Sequence, residues 1–350
     1  MSVRITTVTK CLPEYTRTTA EIITFLDAWL VGQDERFIRK VKKIFANAMV
    51  DQRYSIMSPE EVFSNTSFEE RNDIYMREVI KLGSKVLQKA LDQASWKPEA
   101  LDYIITVSCT GIMIPSLDAY LINNLGLRPD VVRLPVTEMG CAAGISGMIY
   151  ARNFLKANPG KRAAVIAIES PAATFQLEDF SMANIVSAAI FGDGAACVLL
   201  SSHEDEQGPE LIDDEMFHFQ DSTDMMGFQL RNSGLQMVLS AEVPDHIERH
   251  FPAIIHPFLQ RNGLDIADVT HLIFHPGGKK IVQLVEGLFS SLGKNIDDTR
   301  EILRQYGNMS SATVLYVLER IMASPPAPGD YGLMLSFGPG FSAQRILLKW

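Results

Sequence analysis

The sequence predicts an α/β protein made of two similar halves. After about residue 95, short apolar segments alternate with helical stretches, and the clearest of them cover 103–107, 164–168 and 196–200. Continuous apolar runs of this length are typical of strands that are buried on both faces. The order of strand, glycine-rich segment, helix and strand then occurs a second time. This repeat is much longer than the roughly 20–50 residues of a solenoid unit, so it favours duplication.

The first 95 residues are predicted to be mainly helical. Apolar residues recur at helical spacing in segments 19–31 and 34–49, and a third helix is expected over 71–94. The alternating α/β pattern begins only after these segments. We therefore assign the helical N-terminal region to the first half of the chain.

The two halves match in the spacing of their candidate functional residues. In the first half, a strand over 101–107 leads to Cys109, and Cys141 opens a helix 32 residues later. In the second half, a strand over 271–274 leads to His275, and Asn308 opens a helix 33 residues later. Each helix is followed by another strand, over 162–168 and 331–337 respectively. The polar segment 201–210 separates the halves, so we predict domains at 1–205 and 206–350.

This duplication has a geometric consequence for three side chains. A pseudo-twofold axis would place the N-termini of the two central helices close together, so Cys141 and Asn308 are expected to face each other. His275 is expected at the end of a strand in the same layer. A thiol, an imidazole and a carboxamide suit acyl transfer, because the thiol takes the acyl group and the other two groups donate hydrogen bonds to an oxyanion.

Each of the three residues also has a simpler interpretation. A cysteine in a helix of small residues is often buried and inert. A histidine after a strand can be an ordinary loop residue, and an asparagine before a helix commonly serves as its N-cap. The catalytic interpretation instead expects the positive end of the helix and a nearby imidazole to favour the Cys141 thiolate. The joint occurrence of all three residues in glycine-rich segments favours catalysis.

Composition restricts the class of protein further. The 350-residue chain has a net charge of −10, which argues against non-specific binding to nucleic acid or to anionic membranes. Four cysteines without a CxxC motif do not make a disulfide framework. The N-terminus lacks the apolar core of a signal peptide, and the longest apolar stretch, 185–200, is too short to span a bilayer. We expect a soluble cytoplasmic protein.

A pair of histidines provides the only hint of a metal site. His246 and His250 are four residues apart, but the residues between them are not in the order of a metalloprotease helix. No metal is therefore predicted.

Four motifs resemble those of type III polyketide synthases, the chalcone synthase superfamily. They are Gly140-Cys141, His275-Pro276-Gly277-Gly278, Gly307-Asn308-Met309-Ser310-Ser311-Ala312 and Phe337-Gly338-Pro339-Gly340-Phe341. The segment Phe191-Gly192-Asp193-Gly194 matches a further part of the family pattern, and Cys109 followed by Pro115-Ser116-Leu117-Asp118 is more similar to the bacterial branch. The resemblance implies a thiolase fold with a five-layer αβαβα core, and a homodimer.

The resemblance also implies a reaction. Cys141 would take the acyl group of an acyl-CoA starter, and His275 and Asn308 would hold the thioester oxygen of malonyl-CoA while CO₂ leaves. The resulting enolate would attack the acyl-Cys141 thioester in an iterative, decarboxylative Claisen condensation. An acyltransferase of this kind works on coenzyme A thioesters without a carrier protein or a cofactor.

Further residues are assigned to the walls of the site by the resemblance alone. Phe191 would be an aromatic gatekeeper between a coenzyme A tunnel and the reaction cavity, Met237 replaces a second aromatic gatekeeper, and Phe228 replaces a glycine that leaves room in plant enzymes. The other implied positions are Cys109, Thr174 and Ser310 in the cavity wall, Ile114 in the partner subunit's cavity, Lys40 and Lys43 at the coenzyme A phosphates, and a cyclisation loop of Gly338, Pro339 and Gly340.

The bulk of Phe228 predicts a short product. A tri- or tetraketide that cyclises to an α-pyrone or a resorcinol would fit a cavity that this side chain partly fills. Lys40 and Lys43 also have a simpler interpretation, because basic residues on a helix often form an ordinary solvated face.

Two other functions stay open at the level of sequence. A β-ketoacyl-carrier-protein synthase of the initiating type shares the Cys, His and Asn roles, but its histidine is normally followed by Gln-Ala-Asn rather than by the Pro-Gly-Gly found after His275. A catalytically inactive thiolase-fold subunit would serve only as a binding partner. The intact Cys141, His275 and Asn308 argue against that function.

Overall fold

The computed structural model describes residues 2–64, 67–290 and 293–350. The strands are β1 (Arg4–Cys11), β2 (Tyr15–Thr18), β3 (Gln52–Ser55), β4 (Tyr103–Val107), β5 (Val132–Val136), β6 (Arg162–Glu169), β7 (Gly194–Ser201), β8 (Glu210–His218), β9 (Met226–Arg231), β10 (Gly234–Leu239), β11 (Val269–Phe274), β12 (Tyr331–Gly338) and β13 (Ser342–Lys349). The helices are α1 (Thr19–Trp29), α2 (Glu35–Ala46), α3 (Pro59–Val62), α4 (Phe68–Ala94), α5 (Leu117–Leu125), α6 (Ala143–Ala157), α7 (Met182–Ile190), α8 (Val243–Gln260), α9 (Lys279–Ser290), α10 (Asp297–Tyr306) and α11 (Thr313–Ala323).

The large sheet consists of two similar parts. Its strands follow the order β11-β12-β13-β8-β1-β7-β6-β4-β5, and the parts meet where Arg4 of β1 pairs with Glu210 of β8. In one part β4 is parallel to β6, which is antiparallel to β7. In the other part β11 is parallel to β12, which is antiparallel to β13. The predicted duplication of an α/β unit is confirmed.

Alternation along the buried strands builds five layers, because successive side chains point to opposite faces of a sheet. On β6, Val165 packs into the central core with α6 and α11, whereas Ile166 packs with α4. On β12, Met334 faces the same central core, whereas Leu335 packs with α8 and α9. The order of layers is therefore helix, sheet, paired central helices, sheet and helix, which is the thiolase architecture that the resemblance implies.

Small residues let the central helices approach their neighbours closely. A Cβ atom on Gly144, in the first turn of α6, would lie 2.3 Å from the carbonyl oxygen of Ser311 in the other half. A Cβ atom on Gly147 would lie 2.7 Å from a methyl carbon of Val165. The start of α6 and the segment before α11 therefore meet at the centre of the molecule, as the duplication predicts.

The N-terminal region differs from the prediction at its beginning. The predicted helices are present as α1, α2 and α4, but β1 precedes them and lies in the middle of the large sheet, between β7 and β8. Its eight residues include three threonines and two basic residues and have no continuous apolar run, so it lacks the pattern that identifies the other buried strands. The strands β2, β3, β5, β8, β9, β10 and β13 were also outside the prediction.

Two further predictions concern boundaries. The division at residues 205 and 206 falls in the segment between β7 and β8, and it stays a prediction. Asn308 was expected to open a helix, but it precedes a 3₁₀ turn, Ser310–Ala312, which leads into α11. Within the described ranges, the structure contains no helix that is long and apolar enough to cross a membrane.

Candidate active site

Cys141 lies in a tight turn between β5 and α6. The turn is a 3₁₀ segment, Gly140–Ala142, and Gly140 has a φ of +50°, in the left-handed region that favours glycine. The hydroxyl of Ser336 on β12 donates to the carbonyl oxygen of Cys141 at 2.8 Å. A strand of the second half therefore holds the turn that presents the thiol.

The predicted cyclisation loop packs against the same turn. A Cβ atom on Gly338 would lie 2.6 Å from the Cβ of Ala142, and one on Gly140 would lie 2.6 Å from the ring of Pro339. Glycine is required at both contacts. A side chain at 338 would displace the backbone of the turn, and one at 140 would displace the ring of Pro339. Pro339 and Gly340 line a large cavity, whereas Gly338 ends β12, pairs with Ser342 of β13 and packs against the turn. The loop therefore packs against the turn that carries Cys141.

His275 follows β11 and is deeply buried. Its backbone N–H donates to the carbonyl oxygen of Leu335 at 3.0 Å, which continues the pairing of β11 with β12. The side chain is 3% exposed, and neither ring nitrogen has a hydrogen-bond partner among the described residues. Burial lowers the pKa of His275 to about 3, because the imidazolium would lose its hydration. The ring is therefore neutral near pH 7 and has its donor and acceptor both unused.

Asn308 is held in one orientation by its neighbours. Its Oδ1 accepts from the backbone N–H of Ser310 at 2.8 Å, so its Nδ2 must face the other way, where it donates to the carbonyl oxygen of Gly277 at 3.2 Å. Its backbone pairs with Phe191 as an isolated parallel bridge. One N–H of the carboxamide is left for another acceptor, because a primary amide has two.

The hydroxyl of Ser310 lies within hydrogen-bonding reach of the Cys141 thiol and 3.7 Å from the Sγ of Cys109. Burial raises the pKa of Cys141 to about 12; the bond from Ser310 acts in the opposite direction, and the charge of Glu169 adds to the rise. Burial likewise raises the pKa of Cys109. The sequence predicted a thiolate stabilised by the helix end. Burial acts against this thiolate, and its stabilisation by the helix end stays a prediction.

A buried carboxyl group beside the two thiols was missed by the sequence analysis. Glu169, at the end of β6, accepts from the backbone N–H of Cys109 at 3.0 Å, from the hydroxyl of Thr110 at 3.0 Å and from the hydroxyl of Ser311 at 2.6 Å. Burial raises its pKa. The signal was present, because a glutamate that ends a continuous apolar strand is unusual.

All three candidate catalytic residues line one cavity of about 1390 Å³. We call it the reaction cavity. Its walls include most of the residues that the sequence assigns to the site, namely Cys109, Cys141, Phe191, Phe228, Met237, His275, Asn308 and Ser310. Ile114 also lines the reaction cavity, with a side chain that is 92% exposed.

Thr174 is the exception. It was predicted in the cavity wall, but it lines a separate, smaller cavity. Its hydroxyl donates to the carbonyl oxygen of Pro171 at 2.9 Å, within the 3₁₀ segment Pro171–Thr174. This local bond turns the side chain away from the reaction cavity, which Pro171 lines instead.

Four lysines lie at the reaction cavity. Lys40 and Lys43 are on α2, as the sequence predicts, and Lys279 and Lys280 at the start of α9 were not anticipated. The signal for this second pair was their position directly after Gly277-Gly278. Asn47, the C-cap residue of α2, lines the same cavity. The rim can therefore attract an anionic ligand in spite of the negative charge of the whole chain.

No metal site is evident in the part of the chain that the structure describes, where no three histidine, cysteine, aspartate or glutamate side chains are placed to share an ion. His246 and His250 have their ring centroids 4.5 Å apart, and both pack against Phe219. Their contacts are those of packed side chains.

Comparisons with known proteins cover nearly the whole chain. The family model for the N-terminal domain of chalcone and stilbene synthases matches residues 4–204, and the model for the C-terminal domain matches residues 215–350. The chain is 32% identical over 324 residues to a 1,3,6,8-tetrahydroxynaphthalene synthase of Streptomyces peucetius subsp. caesius, covering 91% of this chain and 85% of that protein. It is 28% identical over 309 residues to a phloroglucinol synthase of Pseudomonas fluorescens, covering 88% of each.

A solved structure agrees with these matches. The 1,3,6,8-tetrahydroxynaphthalene synthase of Streptomyces coelicolor A3(2), described as a bacterial type III polyketide synthase, superimposes with a TM-score of 0.93. The two sequences are 28% identical, and the superposition covers 99% of each chain.

Proposed function

Because this chain belongs to the chalcone and stilbene synthase family, the type III polyketide synthases, we propose that Cys141, His275 and Asn308 are its catalytic residues. The observation that carries the proposal is that all three line one reaction cavity with lysines at its rim. The initiating β-ketoacyl synthase and the inactive subunit considered from the sequence have no support in the comparisons.

Loading of the starter requires a proton acceptor. In this proposal the ring of His275, which lines the same cavity, accepts the proton of the Cys141 thiol during the attack of the sulfur on the starter. The sulfur then bonds to the acyl carbon of the starter, and coenzyme A leaves as a thiolate that takes up the proton. This step makes the protein an acyltransferase. Both partners start neutral, so the buried site need not hold an isolated charge before the substrate arrives.

Decarboxylation of malonyl-CoA uses the hydrogen-bond donors. When CO₂ leaves, negative charge moves to the thioester oxygen, where the free N–H of Asn308 and an N–H of His275 can bind it. Each such donor is worth about 3 kcal/mol of transition-state stabilisation in comparable sites. The enolate carbon then bonds to the acyl carbon on Cys141 and the sulfur leaves, so the lengthened chain returns to coenzyme A and can be loaded again.

Coenzyme A enters from the lysine rim. Lys40 and Lys43 bind its phosphates in this proposal, and Lys279 and Lys280 supply two further charges at the same cavity. Coenzyme A is a substrate carrier here, and the family reaction uses coenzyme A thioesters without a cofactor. In this proposal Phe191 and Met237, which line the same cavity, act as gatekeepers between this rim and the catalytic residues.

Phe228 limits the product. It lies on β9 opposite Met237 on β10, and both side chains line the reaction cavity. We propose a tri- or tetraketide that cyclises to a pyrone or a resorcinol beside Pro339 and Gly340. The relatives named as tetrahydroxynaphthalene and phloroglucinol synthases support cyclisation to a phenolic product.

The protein is proposed to be a cytoplasmic homodimer with halves at 1–205 and 206–350. Ile112 and Ile114 support the dimer, because they are 42% and 92% exposed on one loop. Ile114 would reach the partner subunit's cavity, as the family resemblance implies.

The experiment that tests this function is incubation with malonyl-CoA and a panel of acyl-CoA starters, followed by mass spectrometry of products and of tryptic peptides. We expect cyclised polyketides and an acyl group on Cys141. Cys141→Ala should remove both signals, whereas Cys197→Ala, in a buried strand, is the matched control that should keep them. Acylation of another cysteine, or no product with any starter, would contradict the proposal.

A further inference from the structure

A second buried carboxyl group lies in the loop between α7 and β7. Asp193 is fully buried, and the reaction proposed above gives it no role. Its Oδ2 accepts from the backbone N–H of Ile56 at 2.8 Å and from the hydroxyl of Ser170 at 2.9 Å. Its Oδ1 accepts from the backbone N–H of Ala172 at 3.0 Å. One side chain therefore joins its own loop to the residue after β3 and to the segment after β6.

The donors around Asp193 suit its ionised form. A carboxylate is an acceptor at both oxygens, so it satisfies all three donors at once. Burial raises the pKa of Asp193 to about 6, and the bonds from Ile56, Ala172 and Ser170 act in the opposite direction. The carboxylate is therefore the main form above pH 7.

The residues just before Asp193 pair with Asn308. The backbone N–H of Gly192 donates to the carbonyl oxygen of Asn308 at 3.0 Å, and the N–H of Asn308 donates to the carbonyl oxygen of Ile190 at 2.7 Å. The approach is close, since a Cβ atom on Gly192 would lie 2.5 Å from the carbonyl oxygen of Tyr306. A shift of this loop must therefore shift the backbone of Asn308 as well.

The same loop is also bound to β3. The backbone N–H of Asp193 donates to the carbonyl oxygen of Tyr54 at 2.8 Å. The guanidinium of Arg53 donates to the carbonyl oxygen of Ala188, near the end of α7, at 2.8 Å. The loop is thus bonded to β3 and to Asn308, and the carboxylate of Asp193 adds the bonds to the segment after β6.

Ser170, which donates to this carboxylate, continues the network towards the residues that follow Asn308. Its backbone N–H donates to the Oγ1 of Thr110 at 2.8 Å, and the hydroxyl of Thr110 donates to Glu169 at 3.0 Å. Glu169 in turn accepts from the hydroxyl of Ser311 at 2.6 Å. Hydrogen bonds therefore lead from the carboxylate to Asn308 itself and to the turn just after it.

We propose that Asp193 is a positioning residue for Asn308, the donor assigned to the enolate oxygen. Its carboxylate fixes the loop before β7 relative to β3 and to the segment after β6, and the loop fixes Asn308. Such control matters, because misplacement of a catalytic group by about 1 Å can cost about 100-fold in rate. This inference rests on the proposed function and adds to it a residue that does not line the reaction cavity.

The Asp193→Asn variant tests this role with little change of shape. An amide accepts at its oxygen only, so its NH₂ group must face either the N–H of Ala172 or the donors of Ile56 and Ser170. The loop then shifts to separate these donors, and Asn308 shifts with it. We expect kcat for malonyl-CoA decarboxylation at pH 8 to fall at least fivefold. KM for malonyl-CoA should stay within threefold, because the lysines at the rim are unchanged. Chromatography of the coenzyme A thioesters measures both.

Asp102→Asn is the matched control. Asp102 is also buried, and it accepts from the backbone N–H of Arg162 and from the ammonium group of Lys161, both at 2.9 Å. It directly precedes β4, at the opposite end of this strand from Cys109. We expect a lower melting temperature in both variants and a kcat within twofold of the unaltered protein in Asp102→Asn. A purely structural role of Asp193 would give the same result in Asp193→Asn.

A double variant tests whether Asp193 acts through Asn308. Asn308→Ala removes the carboxamide, so its position no longer matters in that background. We expect Asp193→Asn to lower decarboxylation by less than twofold when it is added to Asn308→Ala, because effects that share one route are not additive. A further fivefold fall would show that Asp193 acts elsewhere and would overturn the assignment.

The outcomes separate this inference from the proposed function. Decarboxylation by the unaltered protein, with a fall below fivefold in folded Asp193→Asn, would overturn the positioning role alone. Absence of decarboxylation and of polyketides in the unaltered protein would overturn the proposed function. If circular dichroism shows that Asp193→Asn does not fold, Ser170→Ala replaces it, because it removes one bond to the carboxylate. Its expected fall in kcat is at least threefold, and a smaller fall would overturn the positioning role.

Discussion

The side-chain amide of Asn308 donates to the carbonyl oxygen of Gly277 at 3.2 Å, and Gly277 lies two residues after His275. The bond connects the segment before α11 with the loop after β11. Because Oδ1 is occupied by the backbone N–H of Ser310, the second N–H of the amide is the group left for substrate. The two donors proposed for the enolate oxygen are thus fixed relative to each other through one short stretch of backbone.

The Asn308→Asp variant should therefore lose malonyl-CoA decarboxylation activity, although the aspartate side chain has nearly the same shape as asparagine. A carboxylate can still accept from Ser310, but it offers no N–H and adds negative charge where the enolate forms. We expect the conversion of malonyl-CoA to acetyl-CoA to fall about 100- to 1000-fold. Chromatography of the coenzyme A thioesters measures it, and Asn123→Asp, an exposed amide on α5, is the control. A fall below tenfold would exclude Asn308 as an oxyanion donor.

His275→Ala separates two roles of the imidazole. We expect malonyl-CoA decarboxylation to fall further than starter loading, because decarboxylation needs the imidazole as a donor and loading can draw on other proton acceptors. Loading is followed by the mass of the acylated Cys141 peptide in single-turnover mixtures. Equal losses in both steps would show instead that His275 acts mainly on the nucleophile.

The sequence predicted most of this site because its residues lie in distinctive glycine-rich motifs. Cys141, His275 and Asn308 were assigned before any geometry was known, and the structure brings them to one cavity. Glu169 was overlooked because it ends an apolar strand without a motif of its own. Thr174 lines the smaller cavity instead of the reaction cavity, and its hydroxyl is bound to the nearby carbonyl oxygen of Pro171. No residue pattern reports that choice.

The fold, like the site, could be predicted where the sequence has a distinctive local pattern and not elsewhere. Continuous apolar runs identified β4, β6 and β7, but β1 contains three threonines and two basic residues while lying in the middle of the sheet. Burial of its threonines depends on partners far away in sequence; Thr9, for instance, donates to the carbonyl oxygen of Val86 on α4 at 3.1 Å. Local patterns cannot contain this information.

Acid should destabilise the protein through His275. The unfolded histidine has a pKa near 6.5, whereas burial lowers the folded pKa to about 3, so between these values the unfolded chain binds a proton that the folded protein does not. Stability therefore falls as the pH falls below about 6.5. Between pH 7 and pH 5, protonation of this histidine in the unfolded chain lowers the free energy of unfolding by about 2 kcal/mol.

Urea unfolding of the protein and of His275→Gln at both pH values isolates this effect. Contributions from other buried groups such as Asp193 are common to the two proteins and cancel in the difference. We expect the stability of the unaltered protein relative to the variant to decrease by about 2 kcal/mol on going to pH 5. A constant difference would mean that the folded protein keeps the imidazolium paired.

Phe228→Gly should lengthen the product. Removal of the ring enlarges the reaction cavity beside Met237, so we expect at least one additional malonyl extension in the product mass. Gln229→Gly is the matched control, because it makes a similar backbone change on the same strand at an exposed position outside the reaction cavity. If the protein makes long polyketides and Phe228→Gly leaves their length unchanged, the steric role of Phe228 is wrong.

Gly144 provides a test of the central contact between the halves. A methyl group there would lie 2.3 Å from the carbonyl oxygen of Ser311, so Gly144→Ala must push α6 away from the segment that carries Asn308 and Ser310. Overpacking of this kind typically costs about 1–3 kcal/mol, and here it also displaces Cys141, which lies three residues before the contact. We expect lower stability and slower acylation of Cys141 together.

Gly287→Ala is the matched control for this substitution. Gly287 lies within α9, and nothing is found within 4 Å of a Cβ atom placed there. Alanine in an unobstructed helical position stabilises by about 0.5–1 kcal/mol, because it restricts the unfolded chain and suits the helix better than glycine. Opposite signs for the two glycines in thermal unfolding are therefore expected. A neutral Gly144→Ala would show that α6 can move away from Ser311 without cost, and the close contact would then not be what positions Cys141 opposite Asn308.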